Sequence, residues 1–64
     1  MSIGDRLREL RGQRSEADVA REVGITQSAL SMYENDKRIP RDAVKVRLAK
    51  AFGTSVEAIF YADK

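Results

Sequence analysis

One residue, Ile25, separates Gly24 from Thr26, and no other feature constrains the fold of this chain as tightly. Upstream, "SEADVAREVG" reads as a short helix: Ser15 is an N-cap, and Asp18 follows at capping-box spacing with Asp in place of the commoner Glu. Val19, Ala20 and Val23 form its buried side, and Gly24 closes it. Downstream, Thr26 is the N-cap of a second helix running through about Glu34, with Leu30 and Tyr33 facing inward. A turn this tight cannot lay the two helices antiparallel, so they cross steeply. The crossing needs a small residue on the first helix, which is Ala20, and a turn residue tolerant of positive φ, which is Gly24. Gln27, Ser28 and Ser31 are then left on the outer N-terminal surface of the second helix, where a helix entering the major groove carries its base-contacting side chains.

The flanking segments read as three more helices. Ile3, Leu7 and Leu10 share one face of a helix from about Ile3 to Arg11, and Gly12 is placed to end it. After the pair comes the loop "ENDKRIPR", in which Asn35 and Asp36 are turn residues and Pro40 favours an extended approach to the next helix. That helix spans about Arg41 to Phe52, with Val44, Leu48, Ala51 and Phe52 on one side and Gly53 at its end. Val44, Val46 and Leu48 also alternate like a strand, but no second strand signal exists to pair with them. Ser55 caps a last short helix containing Val56, Ile59 and Phe60. The four glycines act as punctuation, and the class is all-α with five helices and short connections.

Sixty-four residues make one small domain, read as residues 1–64, able to bury only roughly 60% of its unfolded surface. With neither cysteine nor histidine, the chain cannot form a zinc site of the usual ligand types, a disulfide framework, a thiol nucleophile or a histidine base. No catalytic activity, metal or cofactor is expected. There is no apolar run long enough to span a bilayer, and Met1 to Leu10 carries charges where a signal peptide is apolar, so a cytoplasmic location is expected. The net charge is +2 and the pI about 9.3, with cations gathered in Arg6 to Arg14 and Lys37 to Lys50. Two such clusters point to a polyanionic partner.

The stretches "RLRELR", "SEADVAREVGITQSALSMYEN", "DKRIP" and "LAKAFGTSVEAIF", with Ala20, Gly24, Leu30 and Tyr33 at its marker spacing, resemble the phage-repressor, or XRE, family of helix-turn-helix DNA-binding domains. The resemblance covers nearly the whole chain and implies a compact, lambda-repressor-like fold whose second and third helices form the DNA-binding unit. It implies base contacts by Gln27 and Ser28, with Ser31 and Met32 next. Sugar-phosphate contacts are implied for Thr26, Asn35, Lys37, Arg38 and Arg41, and a structural role for Glu34. The expected activity is that of a transcriptional regulator, a repressor, bound as a two-fold dimer to a pseudo-palindromic double-stranded operator.

Three positions depart from the family pattern. The junction "RGQRSEAD" is about two residues shorter than usual. Glu16 stands where the family often has a glutamine that contacts phosphate and supports its neighbour on the third helix, and a carboxylate there would repel phosphate. Asp42 and Lys45 occupy usually apolar positions, so the fourth helix is expected to start later or to roll.

Each functional role has a plainer competitor. Gln27, Ser28 and Ser31 suit an ordinary solvated helix face, and Lys37, Arg38 and Arg41 a solvated turn. Arg6, Arg8, Arg11 and Arg14 have Asp5 and Glu9 within helical pairing distance, and Met32 suits either groove contact or packing. Ile59, Phe60 and Tyr61 are three large apolar residues in a row that cannot all face inward from one short helix. Their plainest role is core and terminus; the competing expectation is that they form the interface of a homodimer, weak without DNA. The rival reading from another class is a protein-interaction module, such as the antitoxin of a toxin-antitoxin pair, that uses the same fold to cover a partner.

Overall fold

The computed structural model describes residues 1–62. Five helices follow one another as α1 (Ile3–Arg11), α2 (Glu16–Val23), α3 (Gln27–Glu34), α4 (Asp42–Ala51) and α5 (Val56–Phe60). Helix α1 packs on α3 and α5, α2 on α3 and α4, and α4 on α5. Leu7, Leu30, Leu48 and Ile59 are fully buried where these helices meet, joined by Val19, Ala20, Val23, Tyr33, Val44 and Phe60. Burying each of the larger aliphatic side chains contributes about 1.5–3 kcal/mol.

Local chemistry accounts for the helix ends. Ser15, Thr26 and Ser55 each accept a hydrogen bond through the side-chain oxygen from the backbone N–H three residues on, at 3.0, 3.0 and 3.1 Å. The reciprocal half of the expected Ser15–Asp18 box is missing, because the Asp18 carboxylate pairs with Arg21 instead, at 3.3 Å. The complete capping box is at α1, where Ser2 Oγ accepts from Asp5 N–H at 3.0 Å and Asp5 accepts from Ser2 N–H at 3.2 Å. There Arg8, the equivalent arginine one turn on, is drawn toward Asn35 and Glu34 and stays 3.8 Å from Asp5.

Helices α2, α3 and α4 each end on a residue of positive φ, Gly24 (87°), Asp36 (58°) and Gly53 (66°). At α3 the Lys37 N–H reaches Met32 O and the Asp36 N–H reaches Tyr33 O, a reverse turn that satisfies carbonyls the helix leaves open. A non-glycine residue holds this conformation because the Asp36 carboxylate accepts the Gly4 N–H of α1 at 2.9 Å.

Two expectations require correction. Gly4 is not punctuation: it lies buried inside α1, where the backbone of Glu34 passes so closely that no side chain fits. Leu10 shares a stripe with Ile3 and Leu7 but is left exposed at its edge. Helix α4 begins at Asp42, slightly later than its periodicity indicates and in the direction that the Asp42 and Lys45 departures led one to expect, with Arg41 as an N-cap that makes no side-chain cap. Lys45 keeps its place on the packed side of that helix by a different physics. Its stem leaves the side chain only 13% exposed while the ammonium lies over the rings of Phe60 and Tyr61, 5.5 and 5.1 Å from their centroids. It donates to Tyr61 Oη at 2.9 Å, and this hydrogen bond, more than the nearby Asp42, raises the lysine pKa above its ordinary value.

Candidate nucleic-acid interface

Helix α3 is fixed from behind and open in front. Leu30 and Tyr33 are buried against the core, and Glu34, fully buried at its C-terminal end, is gripped by Arg11, with Nε 2.7 Å from Oε2 and the second fork at 3.1 Å. That hydrogen bond is the leading reason the Arg11 pKa lies above its usual value. The arrangement gives Glu34 the structural role expected of it. On the outward side Gln27, Ser28 and Met32 are exposed and Ser31 is half-buried. These four line an open depression of about 420 Å³, together with a fifth residue, Glu16, from the first turn of α2.

The two basic clusters are put to different uses. Arg6 donates to the carbonyl of Ile59 at 2.6 Å, and Arg8 donates to Asn35 Oδ1. Arg14 lies 3.6 Å from Glu22 and over the ring of Phe52. With Arg11 on Glu34, the first cluster is committed to tying α1 to the rest of the molecule. Lys37, Arg38 and Arg41 are exposed, and their side chains make no hydrogen bond or ion pair among the described residues. Their charge faces solvent just beyond the C-terminal end of α3.

Two of the residues expected at the sugar-phosphate backbone are placed less simply. Asn35 is in the loop as expected, but its amide is taken up within the protein: Nδ2 donates to Ser31 O at 2.8 Å, and Oδ1 accepts from Arg8. Thr26 Oγ1 accepts from the Ala29 N–H, which leaves its hydroxyl proton available as a donor. Ile59 and Phe60 take the plainer of their two expected roles and not that of a partner surface: they are core residues 1% and 7% exposed, because α5 folds back against α1 and α4. Only Tyr61 of the three remains exposed, at 39%.

The resemblance puts Glu16 where a residue supports its neighbour on the third helix, and Glu16 does share a depression with the outward residues of α3. The signal was present in the tight Gly24–Thr26 turn, which packs α2 directly on α3.

A family model described as helix-turn-helix matches residues 6–59. Among solved structures, the crystal structure of the P22 c2 repressor in complex with a synthetic operator is similar with a TM-score of 0.90 and 24% identity, covering 94% of each chain. The solution structure of the DNA-binding domain of the P22 c2 repressor is similar with a TM-score of 0.86 and 24% identity, covering 92% of this chain and 80% of that one. At this identity the likeness establishes the fold. No curated protein matches the chain.

Proposed function

The chain belongs to the phage-repressor (XRE) type of the helix-turn-helix family, and from that premise we propose that it is a sequence-specific, double-stranded-DNA-binding transcriptional regulator, a repressor, whose helix α3 enters the major groove. One observation carries this reading. The outward face of α3 presents Gln27, Ser28, Ser31 and Met32 directly before a loop whose cations Lys37, Arg38 and Arg41 have no partner among the described residues. Base-reading side chains flanked by uncommitted positive charge are what a duplex requires: phosphate contacts set register, and base edges set sequence. The P22 c2 repressor, which has this fold, was solved on an operator, and that supports a duplex as the partner here.

In this reading Gln27 is the principal reader, long enough for a bidentate contact with adenine N6 and N7, with Ser28, Ser31 and Met32 beside it; the Met32 thioether offers an apolar partner to a thymine methyl. Lys37, Arg38 and Arg41 hold phosphates, and Thr26 adds its hydroxyl proton. Asn35 contributes by fixing the loop, since its amide is already bonded to Ser31 and Arg8. The 64 residues act as one DNA-binding unit in the cytoplasm, with no catalytic step and no cofactor. Two copies pair on a pseudo-palindromic operator, their recognition helices about one turn of B-DNA apart.

Selection of binding sites from a random duplex pool tests the proposal. A defined motif should emerge. Gln27→Ala should relax one position of it at a cost of roughly 1–3 kcal/mol and leave the rest unchanged. A pool without enrichment sinks the reading.

A further inference from the structure

Of the five side chains that line the depression beside α3, four are neutral and one is a carboxylate. Glu16, the first residue of α2, is half-buried and makes no hydrogen bond or ion pair among the described residues. Arg11 attracts it through space, but that guanidinium is already forked onto Glu34 and donates to Arg14 O at 2.8 Å. The acceptor capacity of Glu16 is therefore left open on the surface that carries the outward residues of α3.

A negative charge in that place is costly for any duplex, because phosphates crowd both edges of the groove. The cost is offset only where a base presents a donor. Guanine and thymine present acceptors alone in the major groove. Adenine presents its N6 donor beside the N7 acceptor, a pair that suits an amide such as Gln27 and repels a carboxylate. Cytosine presents the N4 amino group with no acceptor on its own edge. On this basis, and given the DNA-binding reading above, we propose that Glu16 is a specificity-determining residue that accepts a hydrogen bond from the N4 amino group of a cytosine and rejects the other three bases at that position. The same charge that weakens binding in general then sharpens the choice of site.

The test repeats the site selection with the full chain as wild type, Glu16→Gln and Glu16→Ala, each verified as folded by its helical circular dichroism. The wild type should enrich a fixed cytosine at a position that Gln27→Ala does not relax. Both Glu16 variants should lose that preference by roughly fivefold or more while the remaining positions stay unchanged, and both should bind scrambled duplex more tightly than the wild type. Cytosine preference that survives in Glu16→Ala overturns the proposal. So does relaxation at the same position as Gln27→Ala, which makes Glu16 a support for Gln27 and not a reader. A wild-type pool with no enriched sequence removes the DNA-binding reading itself, and that result appears before any variant is compared.

Discussion

Arg11 and Glu34 form a two-pronged ion pair, 2.7 and 3.1 Å, between the last turn of α1 and the last residue of α3. Glu34 is 1% exposed and the Arg11 side chain 21%, so one end of the pair is dry and the other reaches water. The contact anchors the rear of α3 to a helix that carries none of the outward residues. It also leaves the N-terminal half of α3 unobstructed.

Glu34→Gln should therefore destabilise the fold by about 3 kcal/mol, the lower end of the range for breaking a buried pair, since Arg11 can partly rehydrate. Urea denaturation measures this. Replacing Arg11 with Met in the same background should cost less than the sum of the two single changes, because the unpaired guanidinium is removed as well. A loss below about 1 kcal/mol in Glu34→Gln would mean that packing alone holds α3.

Gly4→Ala tests the close crossing of α1 over the end of α3. An added Cβ falls 2.7 Å from the carbonyl carbon of Glu34 and closer still to its oxygen, and backbone cannot move aside as a side chain does. Helix propensity favours alanine by about 1 kcal/mol, yet the clash should dominate and leave a net loss of about 1–3 kcal/mol. Thermal unfolding gives the sign directly, and a stabilised variant would contradict the geometry.

Hydrogen bonds from Ser2 and from the Gly4 N–H hold the Asp36 carboxyl below its ordinary pKa. A depressed folded-state pKa stabilises the protein above the unfolded value of about 3.9, and that contribution is lost as pH falls through the folded value. Asp36→Asn keeps an acceptor for Gly4 and tolerates the positive φ, but it does not titrate. Its stability should change less than that of the wild type as pH falls below about 4, as read by melting temperature against pH. Parallel profiles would show that this contact does not contribute to acid sensitivity.

If Lys37, Arg38 and Arg41 hold phosphates, affinity must fall steeply with salt. With roughly 6 phosphates neutralised per dimer, the slope of log K against log salt should be about −5. Lys37→Ala should weaken selected and scrambled duplexes alike and flatten the slope, measured by fluorescence anisotropy. Salt-independent binding is the contrary result.

If two copies pair as proposed, they have a reduced surface to work with, since Ile59 and Phe60 are buried within one chain and Tyr61 alone of that group is exposed. Such a patch falls short of the ~1,200 Å² typical of stable interfaces, so the free protein should sediment as a monomer and the two-to-one complex should form on a palindromic duplex. Tyr61→Asp should lower operator affinity without unfolding the chain. A strict one-to-one complex at every protein concentration refutes the dimer.

The helix ends and the outward face of α3 were legible in the sequence because neighbours a few residues apart determine them. Ser15, Thr26 and Ser55 cap through hydrogen bonds three residues long, Gly24 and Gly53 supply the positive φ, and the one-residue turn ties the direction of α3 to that of α2. Once Leu30 and Tyr33 face inward, helical geometry directs Ser28 outward, and Gln27 is exposed as the first residue of α3.

Other features depended on which distant groups packing brings within hydrogen-bonding range. An arginine in a sequence is a charge with several possible partners. Only the seating of α1 on α3 and α5 gives Arg6 the carbonyl of Ile59, 53 residues away, and gives Arg11 the carboxylate of Glu34, while Lys37, Arg38 and Arg41, like Arg47 and Lys50, make no hydrogen bond or ion pair among the described residues. The same packing turned Gly4 from a spacer into a contact and let Lys45 fill an apolar position under two rings. It also drew Ile59 and Phe60 inward and set Glu16 beside the outward face of α3. Hydrogen bonds and ion pairs act over a few ångströms, so a long-range partner is fixed only after the helices have been placed.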